Sequence, residues 1–145
     1  MMARVLFVCL GNICRSPTAE AVFRKRAADA GLDVEIDSAG TGGWHAGDPP
    51  DSRMTKAAAK RGYDLTPISA RAVDDGDGYA FDLILAMDSS NLADLHDRAL
   101  PDWTAKVRML LDHDVPDPYY GGPEGFETVL DLIEGGVDRL IEELK

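Results

Sequence analysis

Residues 4–17 read RVLFVCLGNICRSP, and this stretch decides the fold. After the opening arginine it is apolar without interruption as far as Cys9, which is typical of a parallel strand covered on both faces. A Gly-Asn pair then predicts a sharp turn. Ser16 and Pro17 predict the start of a helix, with the serine as N-cap and the proline in the first turn. One short stretch therefore predicts a strand, a loop and a helix in succession.

Strand and helix patterns alternate along the rest of the chain. Further strands are predicted at residues 34–38, 81–87 and 105–111, and helices at residues 16–31, 51–61, 88–96 and 126–145. Residues 112–125 are rich in Pro and Gly and predict a loop. Because strands joined by helices pair in parallel through right-handed crossovers, we predict an α/β fold. It is a doubly wound, about four-stranded parallel sheet with helices on both faces.

Length and composition indicate one globular domain that spans residues 1–145. The chain is 45% hydrophobic and 28% charged, which suits a sizeable core and excludes disorder as the main state. The longest wholly apolar run, residues 5–10, is far shorter than the roughly 20 residues that cross a bilayer. The same run is too short for a secretory signal. We therefore expect a cytoplasmic protein without membrane insertion.

The charge and the cysteine count narrow the choice of ligands. A net charge of -11 repels the nucleic-acid backbone and anionic membranes, so nucleic-acid binding is not expected. An anionic ligand would need a local site whose field opposes the charge of the whole chain. Cys9 and Cys14 are the only cysteines, which leaves no disulfide framework and no four-cysteine zinc site. The histidines are scattered, so no metal site and no cofactor are predicted.

The loop after the first strand has the composition of an oxyanion cradle. Backbone N–H groups at a helix N-terminus bind anions, and Arg15 adds a bidentate fork. The same positive field favours the thiolate form of Cys9, which is the nucleophilic form. The alternative is an inert buried thiol beside a surface arginine, but the Gly-Asn turn and the Ser-Pro helix start favour the cradle. Its predicted phosphate-binding residues are Leu10, Gly11, Asn12, Ile13, Cys14, Arg15 and Ser16.

Four ordered motifs resemble the low-molecular-weight protein tyrosine phosphatase family. They are VCLGNICRSP at residues 8–17, DSAGT at residues 37–41, AMDSSN at residues 86–91 and DPYYGG at residues 117–122. The resemblance covers nearly the whole chain. It implies a cysteine-dependent protein-tyrosine-phosphatase that hydrolyses phosphotyrosine in proteins through a phosphocysteine intermediate. Because Arg15 and the loop amides can neutralise the phosphoryl oxygens, we expect it to need no metal.

The resemblance also implies a role for each matching residue. Cys9 is the nucleophile, Arg15 the phosphate clamp and Asp117 the general acid and base. Support for the site is expected from Asn12, Ser16, Ser38, Asp88 and Asn91, and a substrate rim from Trp44, Tyr119 and Tyr120. Asp117 has a further argument of its own, because Pro118 stiffens its loop, and Tyr119 and Tyr120 add aromatic surface next to a carboxyl that could reach a leaving oxygen.

Two positions in or near the loop leave alternatives open. The family often has a histidine near residues 66–71, packed behind the predicted phosphate-binding residues 10–16, which we call the phosphate loop. This chain reads TPISAR at residues 66–71. Ser69 or Ser38 is therefore expected to support Asn12. Cys14 is either a small side chain packed under the cradle or a redox partner. In the second case it captures a peroxide-generated sulfenate on Cys9 as a disulfide.

Other functions compete with the tyrosine phosphatase. Phosphoarginine-specific relatives resemble this loop but carry Thr where Ile13 stands, and an apolar Ile favours a phenyl ring instead. A thiol-dependent arsenate reductase is less expected, because its relay needs cysteines far along the chain and this chain has none after Cys14. A non-catalytic phosphate-binding module would not need Asp117. Bacterial family members commonly oppose a tyrosine kinase, so such a kinase is the expected opposing enzyme.

Overall fold

The computed structural model describes residues 2–118 and 121–145 of the chain. In chain order its elements are β1 (Ala3–Cys9), α1 (Arg15–Asp29), β2 (Val34–Gly40), α2 (Ser52–Lys60), α3 (Asp77–Ala80), β3 (Leu83–Ala86), α4 (Ser89–Arg98), β4 (Lys106–Met109) and α5 (Pro123–Leu144). The strands form a 4-stranded sheet in the order β2-β1-β3-β4, and every neighbouring pair is parallel. The predicted parallel α/β sheet is confirmed.

The central strand β1 carries a separate hydrophobic core on each face of the sheet. Phe7 points to the face covered by α1, α2 and α5. Its ring packs edge-on against the ring of Phe23, with 5.6 Å between the ring centroids. Leu6 and Val8 point to the other face and pack with Leu95 of α4. Since successive side chains of a strand alternate between faces, an unbroken apolar strand needs helices on both sides. This confirms the doubly wound architecture.

The strand order places the loop after β1 at the switch point of the sheet. From β1 the chain moves to one side to form β2, and then crosses to the other side to form β3 and β4. Loops that leave the carboxyl ends of strands diverge at such a point and open a crevice between them.

Within residues 2–118 and 121–145, no helix has both the length and the apolar character that crossing a bilayer demands.

The start of α1 differs from the prediction. The helix begins at Arg15, Cys14 occupies the N-cap position, and no side chain caps the first turn. The prediction that Ser16 is the N-cap was wrong, because this serine lies within the helix and its hydroxyl contacts Cys9 Sγ instead. The uncapped N–H groups of the first turn remain available to an anion.

Two other helices depart from the sequence-based expectation. The C-terminal helix begins at Pro123 rather than at residue 126, because proline fits the first turn, where its missing N–H costs nothing. The single-turn helix α3 was not predicted, since four residues are too few to display a helical period.

Candidate active site

The loops that follow β1, β2 and β4 line one cavity, and the loop that follows β3 reaches its edge through Asp88, which holds Arg15. The cavity has a volume of about 330 Å³. It is lined by Cys9, Leu10, Gly11, Ile13, Cys14, Arg15, Trp44, His45 and Asp117. The candidate nucleophile, phosphate clamp and general acid therefore share a single cavity.

The backbone of the phosphate loop is held from outside by neighbouring loops. The carbonyls of Cys9 and Leu10 accept from Thr41 N–H and Gly42 N–H, both at 2.9 Å, and Ile13 O accepts from Asp51 N–H at 2.6 Å. In a trans peptide the carbonyl and the following N–H point in opposite directions. The N–H groups that follow these carbonyls therefore point away from the packed loops, as an anion nest requires.

Two positions in these loops restrict which residue can stand there, one by its backbone conformation and one by its close packing. Asn12 has a φ of +58°, the left-handed conformation that asparagine tolerates better than most side chains. Gly40 approaches the phosphate loop so closely that a Cβ on it would lie 2.8 Å from Leu10 O. The phosphate loop and the end of β2 can pack together only because no side chain separates them there.

Arg15 is a buried guanidinium held by two loops. It is 3% exposed, and its Nη1 donates to Asp88 Oδ2 at 2.6 Å and to Val115 O at 3.0 Å. Its Nη2 lies 3.7 Å from Asp117 Oδ2. Burial lowers the pKa of Arg15, but Cys9, Asp88 and Asp117 outweigh it and raise the pKa above its ordinary value. The side chain stays charged, with Nη1 anchored and Nη2 beside the candidate acid.

Asp88 connects Arg15 to the start of α4. One carboxylate oxygen accepts from Arg15, and the other accepts the Asn91 N–H at 2.7 Å as the N-cap of the helix. The backbone of Asn91, rather than its side chain, thus holds Asp88. The Asn91 side chain is buried, and its Oδ1 has no hydrogen-bond partner among residues 2–118 and 121–145.

A chain of buried polar side chains lies behind Cys9. Cys9 Sγ is 3.0 Å from Ser16 Oγ, and Asn12 Nδ2 donates to Ser16 Oγ at 2.8 Å and to Ser38 Oγ at 3.0 Å. Ser38 in turn donates to Glu20 Oε1 at 2.7 Å. Of the two serines expected to support Asn12, the structure places Ser38 there. The place expected of Ser69 is taken by the backbone N–H of Arg71, which donates to Asn12 Oδ1 at 3.0 Å.

Two contributors to the site were missed by sequence reasoning. Glu20 resembles a surface acid on a helix, although all its sequence neighbours in the first half of α1 are buried. His45 lines the cavity, where its Nδ1 lies 3.2 Å from Asp48 Oδ2. A Cβ on Gly11 would come within 2.9 Å of the His45 ring, so the glycine lets the two loops approach. No local pattern marks such a contact between distant loops.

The mouth of the cavity is apolar and exposed. Trp44 is 71% exposed, and Leu10, which lines the same cavity, is also exposed. Ile13 lines the cavity as the prediction of an apolar wall requires. Asp117 is 44% exposed on its side chain and faces Arg15 across the cavity. Tyr119 and Tyr120, predicted to line the same mouth, lie outside the described residues.

Cys14 is a buried free thiol next to the candidate nucleophile. Burial, followed by the charges of Cys9, Asp51 and Asp117, raises the pKa of Cys14 far above its ordinary value, so the group is a neutral thiol. Both cysteines line the cavity. Within residues 2–118 and 121–145, the cavity included, no three His, Cys, Asp or Glu side chains form a group able to hold a metal ion.

A thiol and an arginine on one phosphate loop, at the switch point of a doubly wound sheet, define a phosphatase of the α/β class. Comparison with known families agrees. The family model described as "Low molecular weight phosphotyrosine protein phosphatase" matches residues 4–145. The chain belongs to that family. The resemblance stated from the motifs is confirmed, and so is the predicted enzyme class, a protein-tyrosine-phosphatase.

Individual relatives share both the sequence and the fold. The low molecular weight protein-tyrosine-phosphatase YfkJ of Bacillus subtilis is 44% identical over 153 residues, covering 99% of this chain and 97% of its own. A crystal structure of a protein tyrosine phosphatase from Entamoeba histolytica superposes with a TM-score of 0.94 at 42% identity, covering 98% of this chain and 96% of that one. A Drosophila arginine phosphatase superposes with a TM-score of 0.92 at 35% identity, and 97% of each chain is covered.

Proposed function

We propose that the chain hydrolyses phosphotyrosine in proteins through a phosphocysteine intermediate. One observation carries the proposal: Cys9, Arg15 and Asp117 line the same small cavity, at the N-terminus of an uncapped helix. A thiolate, a fixed cation and a carboxyl around one anion site are what a two-step phosphoryl transfer needs.

In the first step Cys9 attacks the phosphorus in line with the departing oxygen. The S–P bond forms as the P–O bond to tyrosine breaks, while Arg15 and the loop N–H groups hold the other phosphoryl oxygens. Asp117 gives its proton to the leaving phenolate, so tyrosine departs neutral. Arg15 and the loop N–H groups stabilise the negative charge of the phosphoryl oxygens throughout, and the proposed step uses no metal ion.

In the second step water releases the phosphate. The Asp117 carboxylate, now without its proton, accepts a proton from water as the water oxygen attacks phosphorus. The S–P bond breaks, inorganic phosphate forms, and Cys9 returns to its thiolate. Asp117 ends the cycle protonated and ready for the next substrate.

Asp117→Asn tests the acid role through the leaving group. Hydrolysis of phosphotyrosine peptides is expected to fall by about 10²–10⁴-fold, the usual worth of a general acid, whereas nitrophenyl phosphate should slow far less. An activated phenolate leaves without a proton, so it has little need of Asp117. The measurement is kcat on both substrates. Asp112→Asn, which changes an exposed acid at the start of the same loop, should leave both rates near wild type. Equal slowing of both substrates by Asp117→Asn would make this residue structural.

The apolar mouth favours phosphotyrosine over other phosphorylated side chains. Ile13 and Trp44 offer apolar area to a phenyl ring, and neither has an acceptor for a guanidinium. A phosphoarginine packed against Ile13 and Trp44 would leave the N–H donors that face these two side chains unpaired. The likeness to the Drosophila arginine phosphatase nevertheless makes phosphoarginine the second candidate substrate.

Ile13→Thr separates the two candidate substrates. We expect wild type to prefer a phosphotyrosine peptide over its phosphoarginine counterpart in kcat/KM, and the variant to shift that ratio by tenfold or more towards phosphoarginine, about the effect of one added hydrogen bond. Ile13→Val is the matched control, because valine has the shape of threonine without its hydroxyl, and it should keep the wild-type preference. Wild type acting equally on both peptides would contradict the tyrosine assignment while leaving the thiolate mechanism in place.

The rest of the proposal concerns the setting of the reaction. A cytoplasmic location, an opposing tyrosine kinase and independence from metal stay predictions. So does the disulfide between Cys9 and Cys14. Arsenate reduction has less support, because the sequence has no cysteine after Cys14 to relay electrons.

A further inference from the structure

Glu20 is a buried carboxylate that the proposed reaction does not use. It lies in the first half of α1 and is 6% exposed. Its Oε2 accepts from Arg24 Nη2 at 2.7 Å, and its Oε1 accepts from the Ser38 hydroxyl at 2.7 Å. A buried acid is costly unless its oxygens are hydrogen-bonded. This one is connected through Ser38 to the loop that holds Cys9.

The carboxylate fixes the direction of the first hydrogen bond in that connection. The bond runs from the Ser38 hydroxyl to a carboxylate oxygen, which accepts, so the one hydroxyl proton of Ser38 points at Glu20. The Ser38 oxygen then accepts from Asn12 Nδ2 at 3.0 Å. The Asn12 amide is held in this orientation from its other end, where Oδ1 accepts the Arg71 N–H.

The second amide proton of Asn12 sets the direction at Ser16. Asn12 Nδ2 donates to Ser16 Oγ at 2.8 Å, so the serine oxygen is the acceptor in that bond. The Ser16 hydroxyl proton is left for Cys9 Sγ at 3.0 Å, with Ala39 O a more distant acceptor at 3.4 Å. A proton donated to the sulfur stabilises the thiolate over the thiol.

We propose that Glu20 is a positioning residue that orders the protons of Ser38, Asn12 and Ser16 so that Ser16 donates to the Cys9 sulfur. The inference rests on the proposed function, in which the Cys9 thiolate is the nucleophile. Glu20 touches neither substrate nor the reacting atoms. It anchors the support of the phosphate loop on a carboxylate of α1, which suits a chain with no histidine at residues 66–71.

The charge of Glu20 and its hydrogen bond act on Cys9 with opposite signs. Removing a carboxylate charge by itself favours the thiolate and lowers the pH at which Cys9 ionises. Losing the ordered donor raises that pH. Glu20 pairs with Arg24, and the titratable or charged groups around Cys9 include Arg15, Cys14, His45, Asp51, Asp88 and Asp117. Asp37, next to Ser38, pairs with the Arg71 guanidinium. Glu20→Gln leaves all of them in the sequence, so the sign of the change separates the two effects.

Glu20→Gln tests the proposal by the ionisation of Cys9. Next to Arg24 the glutamine oxygen takes the place of Oε2, and its amide nitrogen turns towards Ser38 and reverses that hydrogen bond. The midpoint of Cys9 alkylation by iodoacetamide against pH, followed by mass spectrometry of the Cys9 peptide, should rise by about one pH unit. Asp29→Asn removes the same charge from the exposed end of α1 and should not raise the midpoint.

A double-mutant cycle shows whether Glu20 acts through Ser16. Ser16→Ala should raise the midpoint, and adding Glu20→Gln to it should produce no further rise, because the donor is already gone. Additive shifts would make Glu20 a merely structural residue. If Glu20→Gln does not fold by circular dichroism, Ser38→Ala breaks the same connection and carries the same expectation.

An unchanged or lowered midpoint in folded Glu20→Gln, or in its substitute Ser38→Ala, overturns the proposal. This failure differs from a failure of the proposed function. In that case Cys9 would ionise without being the nucleophile, and alkylated wild type would retain its turnover.

Discussion

Cys9→Ser is expected to abolish turnover of phosphotyrosine peptides while the folded protein still binds inorganic phosphate. The cavity that holds Cys9 keeps Arg15 and the uncapped turn of α1, so the anion site survives the change. A serine hydroxyl is scarcely ionised in the same field, and it is a poor nucleophile without a neighbouring general base. Steady-state kinetics on a phosphotyrosine peptide and calorimetric titration with phosphate measure the two halves of the expectation.

Two measurements control for indirect effects of this variant: circular dichroism reports its fold, and phosphate binding reports its anion site. Circular dichroism should match wild type, because serine is slightly smaller than cysteine and Ser16 Oγ remains beside it. Substantial hydrolysis by a folded Cys9→Ser protein would place the nucleophile elsewhere. Loss of both turnover and phosphate binding would instead point to a collapsed loop, and Cys9→Ala would then separate shape from chemistry.

The strand and the phosphate loop were predictable because their signals are local. The apolar run that ends at Cys9 reports burial on both faces, and both faces of β1 are covered. The Gly-Asn turn and the spacing from Cys9 to Arg15 need no distant partner to be recognised. Because the strands are parallel, the loops that leave their carboxyl ends lie at one edge of the sheet, which is where the cavity is found.

What the sequence could not give depends on partners far along the chain. Whether Ser16 caps a helix or contacts a thiol is decided by Asn12 and Cys9, which only the folded loop brings to it. Glu20 fits the pattern of a solvated helix residue, and its partner Ser38 lies on another element. One signal was available, since residues 16–23 contain no other charge, and an isolated acid in such a stretch is a candidate for a buried role.

The acidic composition of the chain is compatible with a site for a phosphate dianion because the site is local. Arg15 is buried, where its field is screened less than at the surface. Asp88 Oδ2 accepts a hydrogen bond from Arg15 Nη1 at 2.6 Å, whereas Asp117 Oδ2 lies farther from Arg15 Nη2, at 3.7 Å. The guanidinium therefore presents Nη2 to the cavity, where it can bind a phosphate oxygen.

Arg15→Lys is expected to lower kcat/KM for phosphotyrosine peptides by about a hundredfold to a thousandfold, the cost of losing one fixed donor to the transition state. The arginine fork anchors Nη1 on Asp88 and Val115 O and still presents Nη2 beside Asp117. A lysine has one ammonium, and Asp88 will hold it away from the phosphoryl oxygens. Arg108→Lys, on the edge strand β4, is the matched control and should leave kcat/KM unchanged. Wild-type kinetics in folded Arg15→Lys would show that the guanidinium fork is not needed to hold the phosphate.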